Sequence, residues 1–379
     1  MDKWEEKAPR EGVQTWTAPT VTSAIDFLAT QPEVRWMVKD IWMEDTVGMF
    51  SGPPKVFKSW LSLDLIVSVA SGTAFMGHPK FKWGRPQDDR HNVLMIQEED
   101  PHIVLASRLG RILTSRGFDA GGYKESKAKV KGRSLTLKVS DPVPIYIVNA
   151  SGFSLNSADY IEWLEETIDD LRPRLVVLDP LIVMLGSIDE FKAGEVTGLL
   201  RPIKLLRDRY DCSFCIVHHT HRISTKGTAQ RAGEELYASI AFHAWLESAI
   251  HIRPVGDIDE TRTVELKREF KAAAFSEKLY VHFPDMDKEY LPELKSHKEI
   301  QETTAKRKES KRDETRSAKL DEDIARVYTL VKQEGPISGK DIQEQLEWGK
   351  QKRIKLVKET VGRGHIMYEG STTGRIAKL

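Results

Sequence analysis

Residues 47–59 read Val-Gly-Met-Phe-Ser-Gly-Pro-Pro-Lys-Val-Phe-Lys-Ser, the spacing of a phosphate-binding loop with one residue changed. A short apolar run breaks at Gly52 and turns through Pro53 and Pro54. Lys55, Val56 and Phe57 carry the chain to Lys58 and Ser59, and Trp60 opens an apolar stretch with the look of a helix start. In a strand–loop–Lys-Ser–helix context, backbone N–H groups and the helix N-terminus face phosphate oxygens. Lys58 would reach the β- and γ-phosphates, and the Ser59 hydroxyl would hold Mg²⁺. The pattern Gly-x-x-x-x-Gly-Lys-Ser departs at one place: Phe57 stands where the second glycine belongs. That glycine normally lets the backbone come close to phosphate at unrestricted φ.

Further along, other residues fit the same chemistry. Asp179 ends the apolar run 175–178, the place for an acid that holds Mg²⁺ through water. Glu99 follows the apolar run 93–96 and is placed to polarise an attacking water; Glu98 competes for that role, and Asp100 is a candidate cap for a helix beginning at Ile103. His218 and His219 end the run 213–217, where either could sense a γ-phosphate by hydrogen bonding. With His221, Cys212 and Cys215 they invite a metal reading. The spacing fits no zinc pattern well, and both cysteines read as buried thiols in or beside a strand. Arg222, Arg231, Arg253 and the pair Lys267/Arg268 follow the last parallel strand. In oligomeric ATPases a cation from a neighbouring subunit stabilises transition-state charge, and any of these is a candidate.

Between residues 47 and 220, short apolar strands alternate with helices. That pattern spells repeated βαβ units and a parallel sheet covered on both faces. Ligands of such sheets sit at the carboxyl ends of the strands, where Gly52, Glu99, Asp179 and His218/His219 all fall. Helices are predicted over 21–30, 59–71, 103–116 (with Ile103, Leu105, Leu109, Ile112 and Leu113 as its apolar set), 157–171 with Ser157 as N-cap, and 196–210 despite Pro202. Strands over 249–252, 263–267 and 278–283 close the domain, the last two paired. Residues 117–141 carry Gly121, Gly122 and several lysines, and read as an exposed loop or hairpin, a second place where nucleic acid could bind.

Residues 1–22 form a polar arm, and 295–319 a charged, solvated linker. Residues 320–379 read as a winged helix-turn-helix: helices over 321–333, 339–346 (capped by Ser338) and 349–361, then strands over 365–368 and 375–377. Ile354, Leu356 and Val357 are expected to face inward in the third helix. Lys350, Lys352, Arg353, Lys355 and Lys358 on that helix can meet DNA phosphates, with Arg363, Arg375 and Lys378 on the wing. Winged helices also mediate protein contacts, and the unit's acids nearly offset its bases.

The chain has 379 residues, enough for two or three domains, and 57 basic residues balance 57 acidic ones, so any basic surface is local. Two cysteines are too few for a disulfide framework and point to a reducing compartment. No apolar run reaches membrane-spanning length, and the N-terminus lacks a signal-peptide core; both lead to the expectation of a cytoplasmic protein.

Gly52-Pro53-Pro54-x-x-x-Lys58-Ser59, Val93-Leu94-Met95-Ile96-x-x-Glu99-Asp100-Pro101, Leu175-Val176-Val177-Leu178-Asp179-Pro180-Leu181 and Val217-His218-His219-Thr220 occur in that order. Together they resemble the RepA-like branch of RecA-fold ATPases, found among plasmid and phage replicative helicases, over about residues 40–285. The resemblance implies an α/β fold: a RecA-like P-loop core with a mostly parallel sheet over residues 23–294, followed by the small winged helix. It implies ATP and Mg²⁺ as ligands, Lys58 and Ser59 on nucleotide and metal, Glu99 as catalytic base, Asp179 as the metal-holding acid and His219 or His218 as sensor. It also implies a ring, commonly a hexamer, acting on single-stranded DNA. The family's Arg-Gly-Ser-like segment reads Arg231-Ala232-Gly233 here, so Arg231 matches the arginine finger only loosely. The alternative is a nucleotide-dependent DNA-binding switch or helicase loader with slow turnover. A metabolic kinase using the same loop is disfavoured by the winged tail.

Overall fold

The computed structural model describes residues 21–29, 33–82, 90–118, 123–130, 133–140, 143–186, 193–220, 245–273, 278–286, 289–369 and 375–377. It divides into two compact units, Met1–His297 and Lys298–Leu379.

The first unit opens with α1 (Ala24–Ala29) and a short antiparallel pair, β1 (Trp36–Val38) and β2 (Trp42–Met43). Then come β3 (Val47–Gly52), α2 (Lys58–Ser71), β4 (Val93–Gln97), α3 (His102–Ser115), β5 (Tyr123–Val130), β6 (Arg133–Ser140), β7 (Ile145–Asn149), α4 (Ala158–Leu171) and β8 (Leu175–Asp179). Next are α5 (Leu181–Met184), α6 (Ala193–Tyr210), β9 (Ser213–His219), β10 (Ser248–Pro254), α7 (Ile258–Thr261), β11 (Thr263–Phe270), β12 (Leu279–His282) and β13 (Glu293–Lys295).

A nine-stranded sheet runs β13-β12-β11-β10-β3-β9-β8-β4-β7. From β10 to β7 all neighbours are parallel; β11, β12 and β13 extend the sheet antiparallel. This is an α/β core of RecA-like layout. Strands β3, β4 and β8 are buried along their whole length, as continuous apolar runs in a sheet covered on both sides must be. Alternation then sorts their residues. Val93, Met95, Leu175 and Val177 pack with α2 and α3, whereas Leu94, Ile96, Val176 and Leu178 pack with α4 and α6. Helix α2 is buried on nearly every side, including Leu63, Leu65, Ile66 and Val67, and ends at Gly72, φ 71°. The Ser157 hydroxyl accepts from the Tyr160 N–H and caps α4. Strands β5 and β6 form a separate two-stranded hairpin within the stretch expected as loop or hairpin.

Two apolar residues differ from expectation, the first of them in this unit. Helix α3 buries Leu105 and Ile112, but Ile103 in its first turn is 77% exposed. A first-turn residue has no preceding helical turn to carry it over the sheet, so periodicity assigned it to a face that the sheet does not cover there.

In the second unit, α8 (His297–Glu334) is a single 38-residue helix through the stretch expected as a charged linker. Lys, Arg, Glu, Gln and Ala sustain helix on their own, and Lys298–Glu302 is one of its i,i+4 ion pairs. Its buried residues begin only at Asp323. After it come β14 (Ile337–Ser338), α9 (Gly339–Gln345), α10 (Lys350–Gly362), β15 (Met367–Glu369) and β16 (Arg375–Ala377). Ser338 and Asp341 form a capping box at the start of α9. The strands pair as β14-β16-β15, giving the element order of the expected winged helix-turn-helix. Val327, Val331, Ile342, Trp348, Leu356 and Val357 lie in its core. Ile354 is 49% exposed and Thr360 takes the inward place one turn after Leu356, a shift of the buried stripe that corrects the expected inward set. Among the described residues, no helix is long and apolar enough to cross a membrane.

Candidate nucleotide-binding and active site

Strand β3 delivers the loop to the rim from the middle of the sheet. Strand β10 lies so close beside it that a Cβ on Gly52 would fall 2.4 Å from the Ile252 carbonyl oxygen, so that position admits only glycine. The loop then turns through half-buried Pro53, exposed Pro54 and Lys55, buried Val56 and half-buried Phe57. Phe57 is the N-cap residue of α2, at φ 63° and ψ 19°. The backbone at the missing glycine therefore keeps the left-handed conformation a glycine would take. Lys58 is buried, and its ammonium donates to the Gly52 carbonyl at 2.8 Å and the Pro53 carbonyl at 2.7 Å. Burial lowers its pKa to about 8, with Asp179 and Glu99 acting against that shift. Ser59 and Trp60 follow in the first turn, both half-buried.

Register brings the other predicted residues to the same rim. Gly52 lies opposite His219 on β9, and Asp179 lies opposite Gln97 on β4. Asp179 is 1% exposed, and neither of its carboxylate oxygens has a hydrogen-bond partner among the described residues. Burial pushes its pKa up to about 7; the Ser59 hydroxyl favours the charged form, Asp100 and Glu99 disfavour it, and Lys58 favours it. A buried acid with two empty acceptor oxygens, facing a serine at a helix N-terminus, is a donor set suited to a hydrated Mg²⁺.

Of the two neighbouring acids, Glu99 faces the rim and Glu98 does not. Glu98 accepts from the Ser151 N–H at 3.1 Å, the Ser151 hydroxyl at 2.6 Å, the Gly152 N–H at 2.9 Å and the Phe153 N–H at 3.2 Å. Burial acts to raise its pKa, but these donors outweigh it and hold the carboxyl below the usual range. Glu98 thus ties down the loop after β7. Glu99 is half-exposed, with an oxygen 3.1 Å from His219 Nε2. Burial, then the charge of Lys58, lowers the pKa of His219, so the imidazole is neutral at pH 7. His218 is buried beneath the rim, in register with Ser51. Asp100 is ion-paired with Arg108, and Pro101, not Asp100, occupies the N-cap position of α3.

The candidate cations separate. Arg222 and Arg231 lie outside the described residues, as do His221, Lys131 and Lys378. Arg268 is buried and donates to the Asp40 carbonyl at 3.0 Å, and Lys267 pairs with Glu269. Arg253 is half-buried on β10. Cys212 and Cys215 are buried free thiols; burial pushes Cys212 up to about 12 and Cys215 well above its usual value. No group able to hold a metal through three or more His, Cys, Asp or Glu side chains occurs among the described residues.

On α10, Lys350 and Lys355 are exposed. Lys352 is partly engaged: its ammonium lies 2.9 Å from Asp323 and 4.4 Å from the centroid of the Trp348 ring. The Arg353 guanidinium lies over Gly339, where a Cβ would meet Nη1 at 2.9 Å.

Three features at the site have no signature in the sequence. Asn149 donates to the Gln97 side chain at 2.8 Å and to the Asp100 carbonyl at 3.0 Å, bracing the end of β4. Behind the loop, the Ser51 hydroxyl lies 2.6 Å from His251 Nδ1, and His251 Nε2 lies 3.5 Å from Glu269. The Phe57 ring stacks on Phe283. Each joins residues far apart in the chain, which no spacing rule connects.

Residues 13–223 match the family model described as AAA domain. No curated protein matches the chain. Among solved structures, one described as the ATPase domain of a larger protein is similar at 12% sequence identity and a TM-score of 0.45, over 66% of this chain and 84% of that one. The family match spans more than half of the chain and takes in Lys58, Ser59, Glu99, Asp179 and His219. The chain belongs to the AAA domain family.

Proposed function

We propose that this protein is a Mg²⁺-dependent ATPase that assembles with copies of itself and acts on DNA as a helicase-type motor. The observation that carries the ATPase reading is Asp179: a buried carboxylate with both oxygens unpartnered, beside Lys58 and Ser59. In this reading the loop amides of residues 53–59 receive the phosphates, and Lys58 exchanges the Gly52 and Pro53 carbonyls for β- and γ-phosphate oxygens. Ser59 and Asp179 hold Mg²⁺, which neutralises charge on the phosphates. Glu99 takes the proton of the attacking water, and His219 reports the γ-phosphate through its contact with Glu99. Arg231 supplies a cation to the neighbouring subunit. Lys350, Lys352, Arg353 and Lys355 meet DNA phosphates from α10. Single-stranded DNA threads a ring in the cytoplasm, a hexamer in the manner the motif resemblance implies.

ATP hydrolysis and particle mass, measured on wild type and Lys58→Ala with and without single-stranded DNA, test the reading. Hydrolysis is expected to fall at least a hundredfold in the variant; an unchanged rate removes the proposal. The Glu99–His219 contact favours a second reading, in which the base is engaged at rest and the protein is a DNA-binding switch with slow turnover. A rate that DNA leaves unchanged, with no unwinding, selects the switch over the motor.

A further inference from the structure

A phosphate loop with phenylalanine in place of its second glycine needs some other means of holding its backbone. Phe57 sits at φ 63°, a region glycine enters freely and a residue with a Cβ enters at a cost. Its ring stacks on Phe283, with centroids 4.2 Å apart and an interplanar angle of 22°. Phe283 is fully buried just beyond β12, and its N–H donates to the Arg262 carbonyl at 2.8 Å, so the sheet's antiparallel extension fixes it, not the loop. One turn into α2, Trp60 stacks on the buried Tyr290 at 5.4 Å and 7°. Two aromatic stacks therefore fasten the loop and the first helical turn to residues 283–290.

From this we infer that Phe57 and Phe283 form a positioning pair, in which the stack holds Phe57 in the left-handed conformation and so keeps the loop amides converged for phosphate. A glycine loop reaches this conformation through freedom; this loop reaches it through a clamp. The inference rests on the nucleotide-binding reading. It explains how a loop lacking its glycine stays competent, and it assigns the antiparallel extension a part in ATP affinity.

The test measures ATP dissociation constants, with KM and kcat, for Phe57→Ala, Phe57→Gly, Phe283→Leu and the double variant Phe57→Gly/Phe283→Leu. Melting temperatures of all four serve as folding controls. Phe57→Ala keeps the Cβ and loses the stack, so binding is expected to weaken about tenfold, equivalent to about 1.4 kcal/mol. Phe57→Gly loses both and is expected to stay within about threefold of wild type. Phe283→Leu keeps apolar volume in the core and is expected to weaken binding about fivefold when Phe57 is present, and not at all when residue 57 is glycine, through KM and not kcat. Equal losses for Phe57→Ala and Phe57→Gly overturn the inference, because a packing role alone makes glycine no better than alanine. So does a Phe283→Leu effect of the same size in both backgrounds, which marks Phe283 as core only. If wild type binds ATP and Lys58→Ala does not, an additive cycle sinks the clamp alone; if wild type binds no nucleotide, the nucleotide reading and the clamp fall together.

Discussion

Two aspartates of the first unit are wholly buried, and their surroundings treat them in opposite ways. Asp64 lies in the middle of α2, where the Arg116 guanidinium approaches one oxygen at 2.6 Å and the Met76 N–H donates to the other at 2.7 Å. Asp179 lies at the rim with no donor on either oxygen among the described residues. Burial raises the pKa of both; at Asp64 the Arg116 charge opposes it most, whereas at Asp179 the Ser59 hydroxyl opposes it and two nearby acids add to it. A charge inside the helix layer is matched from within the fold. At the rim the fold leaves an acid unmatched, and a buried unpaired acceptor is too costly to persist without a ligand that recovers the cost.

The sharpest way to break this comparison is to remove each charge in turn. Asp64→Asn strands a buried guanidinium and is expected to cost about 3–5 kcal/mol of folding stability, read as a lower denaturant midpoint. Asp179→Asn is expected to do the reverse to the ligand-free protein while lowering ATP hydrolysis at least a hundredfold. The sign follows from linkage. Asp179 titrates near 7 when folded, against an ordinary value of 3.8, so its cost is absent below about pH 4, grows as pH rises, and is complete above about pH 7. The variant should gain on the order of 2–4 kcal/mol at pH 8 and nothing near pH 4. Equal losses in the two variants would remove the contrast.

Two groups at the rim, Asp179 and Lys58, set a pH window that Asp64 does not share. Mg²⁺ needs the carboxylate of Asp179, so Mg²⁺–ATP affinity should rise with pH up to about 7. Phosphate needs the ammonium of Lys58, so affinity should fall again above about pH 8. Each limb is expected to change up to about tenfold per pH unit in titration calorimetry. A flat profile through both values would show that neither group carries the ligand.

Much of the rim was legible in the sequence because each part is local. Strand β8 is an apolar run that ends in Asp179, β3 is one that breaks at Gly52, and Ser157 stands at the head of an amphipathic helix. The choice between Glu98 and Glu99 was not legible, since it depends on the Ser151–Phe153 backbone folding over one of them. Nor was the answer to Phe57. The loop reads as damaged until strand β12 brings Phe283 beside it from more than two hundred residues away. Ile103 and Ile354 failed for a smaller reason: periodicity gives the face of a helix but not where the neighbouring layer ends.

The smallest effect expected separates two lysines that the sequence treats alike. Lys355 is exposed on α10 and Lys352 is bound to Asp323 and Trp348 of its own unit. If α10 meets DNA, Lys355→Ala should weaken binding uniformly across sequences and lower the salt slope by about 1, because one phosphate contact is lost. Lys352→Ala should leave the slope nearer to wild type and instead cost up to about 1 kcal/mol of stability in the second unit. Lys352 is partly exposed, and solvent screens its pair with Asp323, which keeps that figure small. Fluorescence anisotropy at several salt concentrations, beside thermal melts of the full chain, reads both. An equal change of slope for the two lysines would show that DNA draws Lys352 out of its internal contacts, and one that moves for neither would take α10 out of the DNA interface.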